Sequence, residues 1–190
     1  MNAAPKARVD RERVLAAASE LANRHGLDHL LMSELALALD IRTPSLYTHV
    51  AGLSELHRLL VLKGLRELEE RIARVALGKS ADEAIKAAAH AYRQFVHECP
   101  GVYATTVPTP PADDSEWNKA KDHIMETLMT VLGGYGLSGD EAIHVGRGLR
   151  SLVHGYATME MSGAFKHPVN RDESFQRVLS IFLAGLRSEE

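Results

Sequence analysis

Residues 33–50, SELALALDIRTPSLYTHV, decide how the rest of the chain is read. Leu35, Ala36 and Leu39 mark one buried face of a short helix from about Ser33 to Leu39, and the small Ala36 lets a partner helix approach closely. Asp40-Ile41-Arg42 then turns the chain. A second short helix is predicted from Thr43 to His49 or Val50. Thr43 is read as its cap and Pro44 as its first helical residue, where a missing N–H costs nothing. Leu46 and Val50, four apart, point inward. Thr43, Pro44, Ser45, Tyr47, Thr48 and His49 are left facing outward, and none of them is acidic. Two short helices on a tight turn make a helix-turn-helix candidate. Such a unit offers the N-terminal end of its second helix to the major groove of DNA.

Nearly every flanking segment also reads as helix, and no alternating strand pattern occurs. Asp10 is the expected cap of a first helix ending at His25, with Val14, Ala18, Leu21 and Ala22 as its buried stripe and Gly26 as a left-handed terminator. A fourth, long helix opens near Ser54 and carries Leu56, Leu59, Leu60, Leu68, Ile72 and Val75. Ser80-Ala-Asp-Glu83 reads as a capping box opening a fifth helix, and Gly101–Thr106 as a short sixth. Three prolines within 107–112 force a loop. A seventh helix starts near Asp113 or Asp114 and stops at Gly133. A second capping box, Ser138-Gly-Asp-Glu141, opens an eighth that runs to Met161. A ninth starts near Asn170–Asp172 and shows Phe175, Val178, Leu179, Phe182 and Leu186. The expectation is an all-α chain of about nine helices, with a three-helix helix-turn-helix domain over residues 1–53 and a larger helical domain over 54–190.

Composition fits and narrows this. At 190 residues and 45% hydrophobic, the chain can bury a core and is not disordered. No apolar run is long enough for a bilayer, and MNAAPKARVD has no apolar core of a signal peptide, so the expected location is the cytoplasm with no membrane partner. The single cysteine, Cys99, allows no internal disulfide. A net charge of −3 does not announce a nucleic-acid binder, but charge is local. Lys6, Arg8, Arg11 and Arg13 face only Asp10 and Glu12 near the start, and residues 41–54 hold Arg42 and no acid. Both features suit a phosphate footprint.

The run LYTHVAGLSELHRLL (46–60), following HGL (25–27), resembles the TetR family of bacterial repressors. KGLRELEERI (63–72), VPTPPADD (107–114), LGGYGLSGDEAIHVGRGLRSLVHGYATME (132–160) and NRDESFQRVLSIFLAGL (170–186) resemble one branch of it, whose C-terminal domain is named for a Trp-His-Gly motif. The resemblance implies a one-component, ligand-responsive transcription regulator, not an enzyme, acting as a homodimer on a double-stranded DNA operator, with no cofactor. It assigns Thr43, Pro44 and Ser45 to base edges and Tyr47, Thr48 and His49 to phosphates. Lys6 and Arg8 would reach the backbone or minor groove. Arg42 is the one side chain able to grip guanine in two places. Three positions depart from the pattern. Leu31 stands where a capping threonine that also touches phosphate is common, with Ser33 as the expected substitute cap. Asp40 stands in place of the usual turn glycine, and Arg150 in place of the branch's tryptophan.

The resemblance also places an effector cavity among helices four to eight. Tyr92, Phe95, Trp117, Met125, His154 and Met159 are the candidates for it, and plain core packing is the alternative for each. Helices eight and nine are the implied dimer seam, with Ala142, Gly146 and Gly155 allowing close approach and Leu149, Leu152 and Tyr156 filling it. The alternative is that these glycines pack within the subunit. No metal site is expected. His90 and His97 are two helical turns apart, roughly 10 Å, and His97 and Cys99 diverge. No catalytic spacing stands out. A helical partner-binding protein with an impaired DNA-binding unit is the rival reading.

Overall fold

Helical periodicity interrupted by glycine, proline and capping residues produces helices as the regular elements among the described residues. The computed structural model describes residues 9–79, 81–109 and 111–187. Among these are α1 (Arg11–His25), α2 (Met32–Ala38), α3 (Thr43–Leu46), α4 (Leu53–Ala76) and α5 (Ala81–Glu98). They are followed by α6 (Pro100–Thr106), α7 (Ser115–Gly133), α8 (Gly139–Met161) and α9 (Arg171–Arg187), with one turn of 3-10 helix at Leu27–His29. Lys6, Arg8 and Ser80 lie outside the described residues.

Several ends follow from local chemistry. Asp10 caps α1 by accepting the Arg13 N–H at 2.8 Å, and Asn170 caps α9 by accepting those of Asp172 and Glu173 at 2.9 and 3.1 Å. Asp114 accepts the Trp117 N–H at 3.1 Å and so caps α7. Other expectations need correction. Gly26 sits at φ 88°, ψ 158°, outside the left-handed helical well and in a region that essentially only glycine reaches. Ser138 precedes α8 with extended backbone but makes no side-chain cap bond, so the capping box is not closed.

Contacts divide the chain into two compact units. The first comprises Met1–Leu65 and Cys99–Trp117, the second Arg66–Glu98 and Asn118–Glu190. The division falls inside α4, and α6 packs on α1 within the first unit. A Cβ added to Gly101 would stand 2.0 Å from the Ala22 carbonyl oxygen, so only glycine permits this approach. The Asn23 side chain accepts the Val102 N–H at 2.9 Å, satisfying one of the donors a helix start leaves open. Gly64 of α4 meets Val102 and Thr106 on the other side of α6. Val14, Ala18, Ala22, Leu30, Leu35, Leu46, Leu56 and Leu60 fill the space between α1 and its neighbours, each at most 1% exposed. Arg58 of α4 grips both oxygens of Asp114 at 2.5 and 2.8 Å, and Glu116 at 3.0 Å.

The second unit is built on α5, α7, α8 and α9. Ala84, Ile85, Ala89, Leu132, Val145, Leu149, Val153, Phe175, Leu179 and Leu183 form one apolar cluster. Gly146 lies beside it. A Cβ there would meet Leu128, Met129 and Leu132, so this glycine packs against α7 within the subunit, and Ala142 and Leu149 are buried likewise. These three are removed from the expected dimer seam. A charged group is also enclosed. Arg93 donates to both oxygens of Glu160 at 2.8 and 2.6 Å and pairs with Asp172 at 2.7 Å, while His97 Nε2 lies 2.8 Å from Glu160. The Arg93 guanidinium covers the rings of Phe175 and Tyr156.

Asp40 is the one non-glycine with positive φ among the described residues, at 52°. It ends α2 in a paired 6→1 and 5→2 arrangement, Ile41 N–H to Ala36 at 3.0 Å and Asp40 N–H to Leu37 at 3.1 Å. Asp40→Gly is expected to stabilise the protein by about 0.5–1 kcal/mol. Thermal unfolding should show this as a rise of about 1–4 °C. The Arg58 guanidinium holds the Asp114 carboxyl down from 3.8 to about 2. A depressed carboxylate adds stability above its ordinary pKa and loses it as pH falls through the folded value. The melting temperature of the parent should therefore fall between about pH 4 and pH 2 more steeply than that of Asp114→Asn.

Candidate nucleic-acid interface

The segment after the Asp40 turn is held from beneath and open above. Leu46 is fully buried and Val50 is 2% exposed, so both anchor α3 in the first unit. Regular helix covers only Thr43–Leu46. Looser turns carry the winding onward, with His49 N–H to Leu46 at 2.9 Å, Thr48 N–H to Ser45 at 3.4 Å and Val50 N–H to Leu46 at 3.0 Å. The cap is Arg42, in extended backbone (φ −81°, ψ 144°) and without a side-chain cap bond. Thr43 is thus the first helical residue and Pro44 the second, so the helix starts one residue earlier than the threonine rule predicts. The same shift occurs in α2. Leu31 occupies the cap position with no side-chain bond, and Ser33, exposed, lies inside the helix. Packing of Leu35 and Leu46 sets where these short helices begin, and hydroxyl preference yields to it.

The predicted DNA-contacting residues share one exposed segment. Arg42, Pro44, Ser45, Tyr47 and Thr48 are exposed, and Thr43 and His49 are half-buried. Tyr47, 56% exposed, is an aromatic surface with no burial purpose of its own. Thr48 Oγ1 donates to the Ser45 carbonyl at 2.7 Å, so its hydroxyl proton is spent within the turn and must rotate away to reach a phosphate. One charged residue that sequence reading passed over also belongs here. Glu55, in the first turn of α4, accepts the Ala51 N–H and the Arg11 side chain, each at 2.5 Å. Its place just after a glycine at the start of a helix was the available signal.

The effector candidates are dispersed. Trp117 belongs by its contacts to the first unit, where its indole Nε1 is buried without a hydrogen-bond partner. His57 Nε2 on α4 is in the same condition. Burial pushes the His57 pKa below its ordinary value. In the second unit Phe95 is fully buried beneath the Arg71 guanidinium, 5.1 Å from its ring centroid, and Tyr92 packs on the apolar cluster. His154 is half-buried. Met125 and Met159 are exposed, more open than a cavity wall requires. Clefts of about 400 and 390 Å³ run between α4 and α5, and none of the six residues lines them.

Comparison with known proteins agrees with this geometry. Residues 85–182 match the family described as tetracyclin repressor-like, C-terminal domain. The uncharacterized HTH-type transcriptional regulator Rv0681 of Mycobacterium tuberculosis is 30% identical, over 95% of this chain and 83% of its own length. The uncharacterized HTH-type transcriptional regulator YobS of Bacillus subtilis is 31% identical, over 96% and 95%. In structure, a TetR variant of Acinetobacter baumannii AYE, crystallised in complex with minocycline, superposes with a TM-score of 0.70 at 24% identity, covering 95% of this chain and 98% of that one. The chain belongs to the TetR family of helix-turn-helix transcriptional regulators.

Stability separates anchor from surface in residues 43–50. Leu46→Ala empties a buried position and is expected to cost about 2–5 kcal/mol. Tyr47→Ala is expected to stay within about 0.5 kcal/mol of the parent. Chemical denaturation of the two variants checks both.

Proposed function

We propose that this regulator is a ligand-responsive repressor that binds a double-stranded operator as a homodimer. Residues 1–53 act as the DNA-binding part and 54–190 as the effector-binding and dimerising part. One observation carries the reading: an acid-free, exposed segment at residues 42–49 is held up by two fully packed residues, Leu46 and Val50. Among the described residues, none packs over the outer face of that segment. Thr43, Pro44 and Ser45 take base edges, Tyr47, Thr48 and His49 take phosphates, and Arg42 takes either guanine or backbone. Ser33, exposed in the first turn of α2, is a further backbone contact, and Lys6 and Arg8 extend the footprint from the preceding arm.

A two-fold axis is needed to set two such segments about 34–36 Å apart on one face of DNA. α8 and α9 offer the surface for it. Ile181 is 71% exposed, Gly148 and Gly185 are exposed, and Val178, Phe182 and Leu186 are half-buried along the same helix. Gly155, with nothing within 4 Å of an added Cβ, remains available to the seam together with Leu152 and Tyr156. For the effector, the buried and unpartnered indole N–H of Trp117 favours a ligand that brings a hydrogen-bond acceptor, while the neutral His57 Nε2 takes a donor or an acceptor according to its tautomer. Each leaves a cost of about 1–3 kcal/mol that such a ligand removes. Within the second unit, taken by itself, Tyr92, Phe95, Met125, His154 and Met159 remain the effector candidates of this reading, and His154-Gly155 matches the end of the Trp-His-Gly motif with Arg150 in the tryptophan's place. An effector lifts repression only by binding the released state better.

The experiment is an anisotropy titration on duplexes selected from a random pool and on the DNA upstream of its own gene. Sequence-selective binding whose affinity falls with salt is expected. Arg42→Ala should weaken operator binding by about tenfold or more and relax one base position, which corresponds to about 1–3 kcal/mol. Absence of any sequence preference in the parent would reject the reading and favour a partner-binding helical protein. A monomer in sedimentation at micromolar concentration would reject the dimer.

A further inference from the structure

The exit from the recognition segment is short. Val50 closes the last helix-type bond and α4 begins at Leu53, so only Ala51 and Gly52 join them. Gly52 has φ 136°, a conformation side chains avoid, and Ala51 is exposed. The link therefore gains little from packing. One side chain spans it instead. Glu55 Oε2 accepts the Ala51 N–H, and Glu55 Oε1 accepts Arg11 from the first turn of α1. The carboxylate also stands in the first turn of α4, where the helix dipole favours negative charge. Three separate pieces of chain, the start of α1, the link and the start of α4, thus converge on one group.

We infer that Glu55 is the positioning residue of the DNA interface: it fixes the exit of residues 43–49 and withholds Arg11 from the phosphates. The inference rests on the DNA-binding reading of those residues. Arg11 is 57% exposed and Glu55 32%, so the pair is open to solvent, and through Ala51 it lies one residue beyond the proposed recognition segment and its Val50 anchor. An unpaired arginine there would add a phosphate contact to every sequence alike, and so raise non-specific binding. Neutralised by Glu55, it does not. The same carboxylate thereby serves specificity twice, once through geometry and once through charge. A glutamine at this position keeps an acceptor for Ala51 but loses the ion pair, whereas an alanine keeps neither. That difference separates the two roles.

The test uses the full-length protein on a duplex it selects itself and on a scrambled duplex, from about 50 to 200 mM salt. Glu55→Gln is expected to bind the scrambled duplex several-fold more tightly than the parent. Its salt slope should be steeper by about one, the signature of one added phosphate contact. The double variant Arg11→Ala/Glu55→Gln should return to the parent's slope. Glu55→Ala should share the steeper slope and also lose about five- to tenfold in operator affinity, the scale of one hydrogen bond. Far-UV circular dichroism and the melting temperature, measured on each variant, separate these effects from unfolding, which does not move a salt slope by itself. Parent-like slopes and specificity ratios in folded Glu55→Gln and Glu55→Ala would overturn the inference. A parent that selects no sequence at all would overturn the DNA-binding reading beneath it.

Discussion

The first unit depends on one backbone-to-backbone approach, that of Gly101 against the Ala22 carbonyl. No side chain fits between them, and the contact brings residues 99–117 into the unit that carries the recognition segment. Its consequences are chemical as well as steric. α6 is buried along most of its length, including Thr105 and Thr106, and a buried hydroxyl needs a partner. Both threonines find one inside the helix, in the carbonyls of Val102 and Tyr103. The helix start finds its partner outside, in Asn23 of α1. A seven-residue helix of low intrinsic stability is thereby fixed by the elements it touches. Arg58 extends the fixation to the start of α7 through Asp114.

Much of this was legible in the sequence, and what was not legible has a common cause. Apolar spacing located the helices because a periodic stripe is a local property. Asp10, Asn170 and Asp114 work as caps because each side-chain oxygen reaches an N–H in the first turn that follows it. Thr43 and Ser33 have equal capping chemistry but do not cap, since buried Leu46 and Leu35 draw the helix start one or two residues earlier. The turn at Asp40 was visible as a cost, and the backbone carries that cost at φ 52°. Glycine was the most ambiguous letter. Gly146 and Gly101 both signal close approach, but spacing does not name the partner. One faces α7 of its own unit and the other faces α1.

Buried charge was the least legible feature. Arg93 sits on α5, Glu160 on α8 and Asp172 on α9, and no local pattern links them. Arg93 is 11% and Glu160 7% exposed, so the pair sits among apolar side chains. Both Glu160 oxygens and Asp172 meet Arg93 and offset the desolvation of its charge. Removing Arg93 or Glu160 leaves the other buried without its main partner, whereas Asp172 is 74% exposed and can be lost at little cost. Arg93 and the Glu160 carboxyl, held below its ordinary pKa chiefly by Arg93, fix how α5, α8 and α9 align within the second unit.

The recognition segment reverses this logic. It holds one side chain suited to bidentate base reading, Arg42, and an overall charge of −3 gives the chain little general attraction to DNA. In the proposed reading, Thr43, Pro44 and Ser45 would offer only short contacts, suited to thymine methyls, water and groove shape. Contacts of that kind are sensitive to placement, because each is weak and none reaches far. Rigidity must then supply what electrostatics does not. Only four residues of α3 are regular helix, so rigidity comes from Leu46 and Val50 beneath the segment, the Asp40 turn before it and the Glu55 clamp after it.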